Sequence, residues 1–344
     1  MSSNGHTPAA DLAAPVRAWR AAPFTIRVRA AAKVNIVLEV LGKRPDGYHE
    51  VHSIMQTIGL FDTLECAPAP ELTLAAPPLP DDAPNLVLRA AQALQEATGC
   101  RAGAALTLHK GIPIAAGLGG GSADAAAALV ALNALWKLYL DRDELARVAA
   151  QLGSDVPFFL LGGTALARGR GDQLEPLPDP VPRWLVLIVP SEPLADKTRR
   201  IYSLLDPKWY TPGGFVATLA QRLRTNPAAS WRPLGNGLEP TAMETFPALR
   251  AARNALVEVT EQVWREYPIP AGEDDAPDWN LSGAGPALFT YFGDPRAAER
   301  CRELLVARGY PAWVAPTLAR AEFARGLGLP ALPETGRRRA PAAC

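Results

Sequence analysis

One run of small residues constrains this chain more than any other feature. It extends from Lys110 to Leu129 and reads Lys-Gly-Ile-Pro-Ile-Ala-Ala-Gly-Leu-Gly-Gly-Gly-Ser-Ala-Asp-Ala-Ala-Ala-Ala-Leu. Glycine has no Cβ, so the backbone in such a run can adopt positive φ and a ligand can lie directly against its N–H groups. The pattern predicts a phosphate-binding loop, whose glycines are Gly117, Gly119, Gly120 and Gly121.

The residues after these glycines predict a helix. Ser122 is a favourable N-cap, and an Ala- and Leu-rich run follows it to Leu140, with Asp124 in the expected first turn. The free N–H groups and the positive dipole end of such a helix favour a bound anion. A flexible glycine hinge before a helix would produce the same pattern, so the glycines alone leave both interpretations open.

The spacing of the glycines excludes two common nucleotide-binding loops. No Gly-Lys-Ser/Thr follows at the Walker A spacing, and Gly117-x-Gly119-x-x is followed by Ser122 where the Rossmann fingerprint has a third glycine. The stretch from Pro113 to Ala126 instead resembles the second signature of the GHMP kinases. The resemblance implies an ATP-binding loop made of Pro113, Ile114, Ala115, Ala116, Gly117, Leu118, Gly119, Gly120, Gly121, Ser122 and Ala123.

An alternating pattern from Phe24 to Val40 predicts a strand upstream of the loop. Lys33 and Asn35 lie two residues apart, so both should project from the face opposite Val34. The alternative interpretation of Lys33 is a solvated strand lysine.

A turn with a Pro-Asp-Gly core follows and ends in Tyr48 and His49. The segment from Ala32 through this turn to Asp62 resembles the branch of the GHMP kinases whose small-molecule acceptor is a cytidine diphosphate methylerythritol. A cytosine has a π-face and a mixed donor and acceptor edge, which suits an aromatic ring beside an imidazole. The resemblance implies substrate binding by Tyr48, His49 and Asn35; alternatively, Tyr48 packs over the strand and His49 is solvated.

Three further segments carry candidate site residues. Asp155, in Gly-Ser-Asp-Val-Pro-Phe-Phe, is a candidate N-cap of a short helix, and the resemblance also implies that it is the catalytic base, with Lys33 stabilising charge. Asn85 caps a predicted helix and, by the resemblance, lies near the nucleotide base; the two roles are equally consistent with the sequence. The segment from Ser282 to Gly285 resembles the third signature, although Ala284 stands where a hydroxyl residue is common.

The order of predicted elements indicates an α+β chain of two domains. We expect an N-terminal ATP-binding domain over 24–180, a C-terminal domain over 181–320, a disordered lead-in at 1–23 and a mostly disordered tail at 321–344. Within these, Pro68–Pro84 is predicted to be a surface connector, Tyr210–Pro240 to be loop-rich, and Thr241–Arg265 to be one helix. The resemblance implies a two-domain GHMP kinase fold, with a ribosomal-protein-S5-domain-2-like domain followed by a ferredoxin-like domain.

Composition limits the partners and the compartment. Lys plus Arg and Asp plus Glu both number 35, so no overall positive field attracts nucleic acid or anionic lipid, and the expected partner is a small molecule. No secretory signal or clean membrane span is readable. Scattered cysteines without a Cys-x-x-Cys pair favour reduced thiols in the cytoplasm; they are Cys66, Cys100, Cys301 and Cys344.

The resulting expectation is an ATP-dependent kinase. ATP would be the phosphoryl donor, and Mg²⁺ would be bound partly by the Ser122 hydroxyl, because this ion prefers oxygen ligands and phosphates. Arg168 and Arg170 are candidates for phosphate-binding or surface charges. Two alternatives remain: a GHMP kinase acting on another small alcohol, and a catalytically silent sensor on the same scaffold. The sequence does not indicate an oligomeric state.

Overall fold

Two β-sheets organise the chain in the computed structural model, which describes residues 24–78, 85–190, 197–268 and 278–327. The strands are β1 (Ile26–Lys43), β2 (His49–Ala69), β3 (Leu72–Ala75), β4 (Gly103–His109), β5 (Thr164–Arg168), β6 (Gln173–Pro176), β7 (Trp184–Ile188), β8 (Gly235–Asn236), β9 (Asn280–Leu281), β10 (Leu288–Phe292) and β11 (Ala312–Pro316). The helices are α1 (Leu86–Thr98), α2 (Gly120–Leu135), α3 (Arg142–Leu152), α4 (Phe158–Leu161), α5 (Lys197–Leu204), α6 (Gly214–Thr225), α7 (Glu239–Thr245), α8 (Pro247–Glu266), α9 (Pro295–Ala307) and α10 (Arg320–Gly326).

The first sheet is built on the long antiparallel hairpin of β1 and β2, with strand order β3-β4-β2-β1-β8; β5 pairs with β2, and β6 with β5. Helices α1, α2 and α3 cover one face of this sheet. Residues 123–133 of α2 are buried, and most of them are alanines, whose small side chains let the helix lie close to its neighbours. This close packing fixes the glycine loop that leads into α2.

The second sheet is antiparallel, with strand order β11-β7-β10-β9. Helices α8 and α9 pack on it around a second apolar core. Apart from the elements inserted between β7 and α8, the order β7, α8, β9, β10, α9, β11 is the β-α-β-β-α-β unit of ferredoxin-like folds. The predicted α+β second domain is therefore present.

Two late segments return to the first sheet. Strand β8 pairs in parallel with β1 at Val37 and Leu38. Helix α10 packs against the residue after α4: a Cβ on Gly162 would overlap the ring of Phe323. Residues 321–326 of the tail that is expected to be mostly disordered are helical, whereas residues 1–23 and 328–344 lie outside the described residues.

The structure also differs from the prediction in three other segments. Strand β2 continues to Ala69 and β3 follows, so six of the eleven described residues of the expected connector at 68–84 are in strands; residues 79–84 lie outside the described part. Within 210–240 the structure has α6, whose buried stripe of Val216, Leu219, Ala220 and Leu223 has helical spacing. The single helix expected over 241–265 is two helices, because Pro247 lacks an N–H and disfavours helical geometry at Phe246, where φ is −114°.

The described cysteines are buried and form no disulfide: Cys66, Cys100 and Cys301. Burial raises the pKa of the Cys66 thiol to about 12, so it behaves as a small apolar side chain. In the described part of the chain, no helix has both the length and the apolar character needed to cross a bilayer.

Candidate active site

The pair Lys33 and Asp155 forms the centre of the site. Strand β1 positions Lys33 so that its Nζ lies 3.5 Å from Asp155 Oδ2. Lys33 is only 3% exposed, whereas the side chain of Asp155 is 37% exposed and accessible from solvent. The interpretation of Lys33 as a solvated strand lysine is therefore wrong, and the structure brings the two predicted catalytic residues together.

The predicted alternation on β1 explains how Lys33 is held. Its Nζ donates to Asn35 Oδ1 at 2.7 Å, Asn35 Nδ2 donates to Ser53 Oγ at 2.8 Å, and Ser53 Oγ donates to the Val37 carbonyl at 2.7 Å. Asn35 is 3% exposed. Both ends of its amide are thus used within the protein, and its observed part is to orient Lys33.

Asp155 lies in the turn before α4. The N-cap of α4 is Pro157, and no side-chain capping bond is present. The backbone carbonyl of Asp155 accepts from Phe158 N at 3.2 Å. The predicted N-cap role is therefore wrong, which leaves the carboxylate directed to Lys33.

The glycine loop differs from its prediction at one end. Gly117 and Gly119 have φ of +85° and +73°, as expected, but Gly120 and Gly121 are already helical. The N-cap of α2 is Gly119, so the predictions that Ser122 caps the helix and that the helix reaches 140 are both wrong. With a left-handed Gly119, the chain enters the helix three residues earlier than the serine indicated.

The start of α2 presents a row of N–H donors. Within the described residues, the N–H groups of Gly117, Leu118 and Gly119 have no acceptor, and those of Gly120–Ser122 lie in the first turn, where a helix has none of its own. The Leu118 carbonyl accepts from the N–H of Lys33 at 2.9 Å, which ties this row to β1. Such a row suits phosphate oxygens.

A second glycine turn lies against the first. Ser282 Oγ donates to the Gly117 carbonyl at 2.9 Å, and Ala287 N donates to the Ala116 carbonyl at 2.9 Å. A Cβ on Gly283 would lie 3.4 Å from Lys33 Nζ. The backbone of the predicted third signature thus borders the site, and the alanine at 284 does not prevent this approach.

Two asparagines that the sequence analysis did not single out anchor this second turn. Asn236 Nδ2 donates to the carbonyls of Leu281 and Gly283, both at 2.8 Å. Asn280 Nδ2 donates to the Ile36 carbonyl at 2.9 Å. These bonds join β8 and β9 to β1 and hold the two sheets together beside Lys33.

A buried group of three charged side chains lies beside the glycine loop, and the sequence analysis did not predict it. Lys110 Nζ donates to Asp62 and, at 2.7 Å, to Asp124 Oδ2. Asp62 also accepts from the N–H groups of Gly111 and Ile112 at 2.7 and 2.8 Å. Asp124 is therefore a partner of Lys110 in the second turn of α2, and its predicted place in the first turn is wrong.

Burial dominates the electrostatics of this group. It raises the pKa of Asp124 to about 7, which the charge of Lys110 only partly opposes. Burial also lowers the pKa of Lys110, but the charges of Asp124 and Asp62 outweigh it, so the pKa is raised overall. The Oδ1 atom of Asp124 is buried without a hydrogen-bond partner in the described structure.

Tyr48 and His49 lie at the other end of the site. Tyr48 is 54% exposed, and the guanidinium carbon of Arg170 lies 4.9 Å from its ring centroid. His49 faces two rings that the sequence analysis missed, Tyr202 at 5.1 Å and Tyr210 at 6.0 Å. Both come from the second half of the chain, so no local sequence signal linked them to the turn.

The imidazole of His49 is kept neutral by its surroundings. Burial, and then the positive charge of Lys43, lower its pKa. A neutral imidazole has one donor and one acceptor nitrogen. His49 can therefore read a mixed hydrogen-bonding edge at neutral pH.

Asn85 occupies the predicted capping position. Its Oδ1 accepts from Val87 N at 2.9 Å. The adjacent Leu86 side chain would lie 3.5 Å from a Cβ on Gly121. The start of α1 thus borders the start of α2, while contact of Asn85 with a base stays a prediction.

Comparison with known proteins identifies the family. The GHMP kinases N terminal domain family matches residues 85–163. A 4-diphosphocytidyl-2-C-methyl-D-erythritol kinase of Pelotomaculum thermopropionicum is 42% identical over 282 residues, which cover 80% of this chain and 92% of that relative. The chain belongs to the 4-diphosphocytidyl-2-C-methyl-D-erythritol kinase family. The enzyme of this name from Geobacillus kaustophilus is 40% identical over 269 residues, covering 77% of this chain and 87% of that protein.

Solved structures support the same assignment. A crystal structure of a 4-(cytidine 5'-diphospho)-2C-methyl-D-erythritol kinase has a TM-score of 0.66 at 34% identity, covering 85% of this chain and 98% of that one. Homoserine kinase from Cytophaga hutchinsonii, at 18% identity and a TM-score of 0.61, covering 86% and 95%, shares the fold. The predicted GHMP kinase fold and the predicted class of small-molecule kinase are confirmed for this member of the 4-diphosphocytidyl-2-C-methyl-D-erythritol kinase family.

Proposed function

We propose that the protein transfers the γ-phosphoryl group of ATP to the 2-hydroxyl of 4-diphosphocytidyl-2-C-methyl-D-erythritol, a step in the non-mevalonate route to isoprenoid precursors. The observation that carries the proposal is the 3.5 Å pair of Lys33 and Asp155 beside a row of N–H donors. We expect the reaction to take place in the cytoplasm.

In this proposal Asp155 is the general base. Its half-exposed carboxylate can accept the proton of a hydroxyl that enters from solvent. The buried ammonium of Lys33 stabilises the negative charge that develops on the attacking oxygen. Because Asn35 and the Leu118 carbonyl hold Lys33, little reorganisation is needed during the transfer.

The donor side of the proposal uses the loop over 113–123. The N–H groups of Gly117–Ser122 would hold the ATP phosphates, and Asn85 would lie near the base. The Ser122 hydroxyl fits a magnesium ligand because it makes no hydrogen bond within the described residues and stands at the start of α2. Bound Mg²⁺ would neutralise phosphate charge, and since the described residues hold no group of three or more His, Cys, Asp or Glu, phosphate oxygens would supply much of its shell.

The acceptor side uses the exposed ring of Tyr48 and the neutral imidazole of His49. The ring offers a stacking surface for cytosine, and the imidazole offers one donor and one acceptor to the edge of the base. Tyr202 and Tyr210 hold the imidazole from the second half of the chain. Asn35 acts on the acceptor through Lys33.

The test is turnover of the purified chain with Mg-ATP and 4-diphosphocytidyl-2-C-methyl-D-erythritol, measured as ADP and phosphorylated acceptor. A panel of other small alcohols separates this function from another GHMP activity. A protein that binds the acceptor without consuming ATP would be a sensor, and the proposal would be wrong.

A first prediction tests the assigned base. Asp155→Asn keeps the size of the side chain and all backbone contacts, so folding should be unchanged while kcat falls by roughly a hundred- to ten-thousandfold. Asp294→Asn, at the exposed N-cap of α9, is the matched control and should retain full turnover. Near-normal turnover of Asp155→Asn would remove this residue from the mechanism.

A further inference from the structure

Arg170 lies between the two ends of the proposed acceptor site. Its guanidinium carbon is 4.9 Å from the centroid of the Tyr48 ring. The next residue, Gly171, is so close to the proposed base that a Cβ there would lie 3.9 Å from Asp155 Oδ1. The turn that carries Arg170 therefore spans the gap between the aromatic platform, which is the Tyr48 ring, and the carboxylate of Asp155.

The turn is fixed on both sides. Gly169 and Gly171 have φ of +71° and +94°, which allows the chain to reverse between β5 and β6. The N–H of Val51 donates to the Gly169 carbonyl at 2.8 Å, and the N–H of Gly169 donates to Glu50 Oε1 at 3.1 Å. Arg170 is consequently held at a defined distance from the start of β2, where the aromatic platform begins.

The guanidinium keeps donors in reserve. Asp172 Oδ2 accepts from Arg170 Nε at 3.3 Å and from Nη2 at 3.0 Å. A guanidinium has five N–H donors, and among the described residues no acceptor lies within hydrogen-bond distance of Arg170 Nη1. The side chain is 32% exposed, so an anion can reach these donors.

The carboxylates around the turn are already engaged. Asp46 accepts from the N–H of Tyr48 at 3.1 Å and pairs with Arg44, which also binds Glu50. Asp172 is paired with Arg170, and the carboxylate at 155 with the lysine of β1. An entering anion would therefore meet the solvent-facing N–H donors of Arg170 and not an unpaired carboxylate.

We propose that Arg170 binds the diphosphate that links the base to the polyol of the acceptor, an inference that rests on the proposed function. When the base stacks on Tyr48 and the hydroxyl reaches Asp155, the diphosphate must cross the intervening space, where Arg170 stands. The planar fork of an arginine matches two phosphate oxygens and gives both charge and direction. Arg170 thereby sets the distance between the bound cytosine and the hydroxyl that is phosphorylated.

The experiment compares two cytosine ligands that differ only in the diphosphate. Binding of CDP and of cytidine is measured by calorimetry, with saturating Mg-ADP so that the donor loop is occupied. Arg170→Gln should weaken CDP about tenfold or more, because a charged hydrogen bond is lost, and should leave cytidine unchanged. The affinity of Arg170→Lys for CDP should lie between those of the wild type and Arg170→Gln, since lysine keeps the charge without the planar guanidinium fork.

Arg168→Gln is the matched control. Arg168 is the last residue of β5, is more exposed than Arg170 and pairs with Glu175 at 3.3 Å. This variant should bind both ligands like the wild type. A loss in it equal to that of Arg170→Gln would mean that general surface charge causes the effect, which would overturn the inference.

Two further outcomes would overturn the proposal. If Arg170→Gln weakens CDP and cytidine equally, the arginine only braces Tyr48; if it weakens neither, it does not contact the ligand. These results are separate from the proposed function. If the wild-type protein does not phosphorylate the acceptor but binds CDP more tightly than cytidine through Arg170, only the proposed function is refuted. If Arg170→Gln shows normal turnover and an unchanged acceptor KM, only the proposed role of Arg170 is refuted.

Discussion

Replacing Asp124 by Asn should remove a pH-dependent part of the folding free energy. Burial raises the pKa of this carboxyl from 3.8 to about 7. Below 3.8 the group is protonated in both the folded and the unfolded chain, so its contribution to stability is fully present there. As the pH rises through about 7, the unfolded chain loses this proton first and the contribution is lost.

The size of the effect follows from the shift. One pKa unit corresponds to 1.36 kcal/mol, so the difference between 3.8 and about 7 amounts to about 4 kcal/mol. The side chain of Asp124 is only 4% exposed, so solvent screens it little. Asp124→Asn retains the shape and leaves the Lys110 pair with Asp62 intact. Its free energy of unfolding, relative to the wild type, should rise by this amount between pH 4 and pH 8.

The assay is urea unfolding of both proteins at a series of pH values. Asp294→Asn is the control, because hydrogen bonds from Arg296 lower the pKa of Asp294, so that its contribution is present above 3.8 and lost only in acid. Its curve should parallel the wild type above pH 5. Carboxyl NMR of the wild type should show one group titrating near neutrality that is missing in Asp124→Asn. Parallel curves for Asp124→Asn and the wild type, without such a signal, would refute the reasoning.

Three other predictions concern the glycine loop and the acceptor. Gly119→Ala places a Cβ 2.7 Å from the Phe159 ring at a φ of +73°, so ATP affinity should fall by about tenfold or more. The control variant Gly214→Ala, with open space around the new Cβ, should bind ATP normally. Equal ATP affinities of the two variants would mean that the glycines serve as a hinge. Tyr48→Ala should raise the acceptor KM about tenfold, since stacking on a base contributes roughly 1–3 kcal/mol, with ATP affinity unchanged. We expect the wild type to lose acceptor affinity only below pH 6.5, because the pKa of His49 is lowered. His49→Ala should abolish this loss and weaken the preference for cytidine over uridine; unchanged preference would contradict base reading by His49.

Local patterns predicted the strand that carries Lys33 well. The two-residue period places Lys33 and Asn35 on one face whatever the rest of the chain does, and the structure has them hydrogen-bonded. The start of α2 was predicted less well. In a run of small residues, the first helical residue depends on which glycine adopts the left-handed conformation, and the sequence does not distinguish Gly119 from its neighbours.

Contacts between distant segments were beyond local reasoning. The group of Asp62, Lys110 and Asp124 exists because β2 and α2 bring their side chains to the loop from opposite sides, which depends on register and packing. The placement of Tyr202 beside His49 likewise depends on how the second half of the chain packs. Helix α6 differs from these cases, because its apolar stripe was readable and the flanking Gly and Pro residues obscured it.

The return of β8 and α10 to the first sheet has a consequence for the growing polypeptide on the ribosome. Strand β8 at 235–236 borders β1, which carries Lys33, and Phe323 covers Gly162, just beyond the helix that follows Asp155. A nascent chain that has emerged only to residue 180 thus lacks both the lateral neighbour of β1 and the support behind α4. Phosphoryl transfer should therefore begin only when synthesis is almost finished.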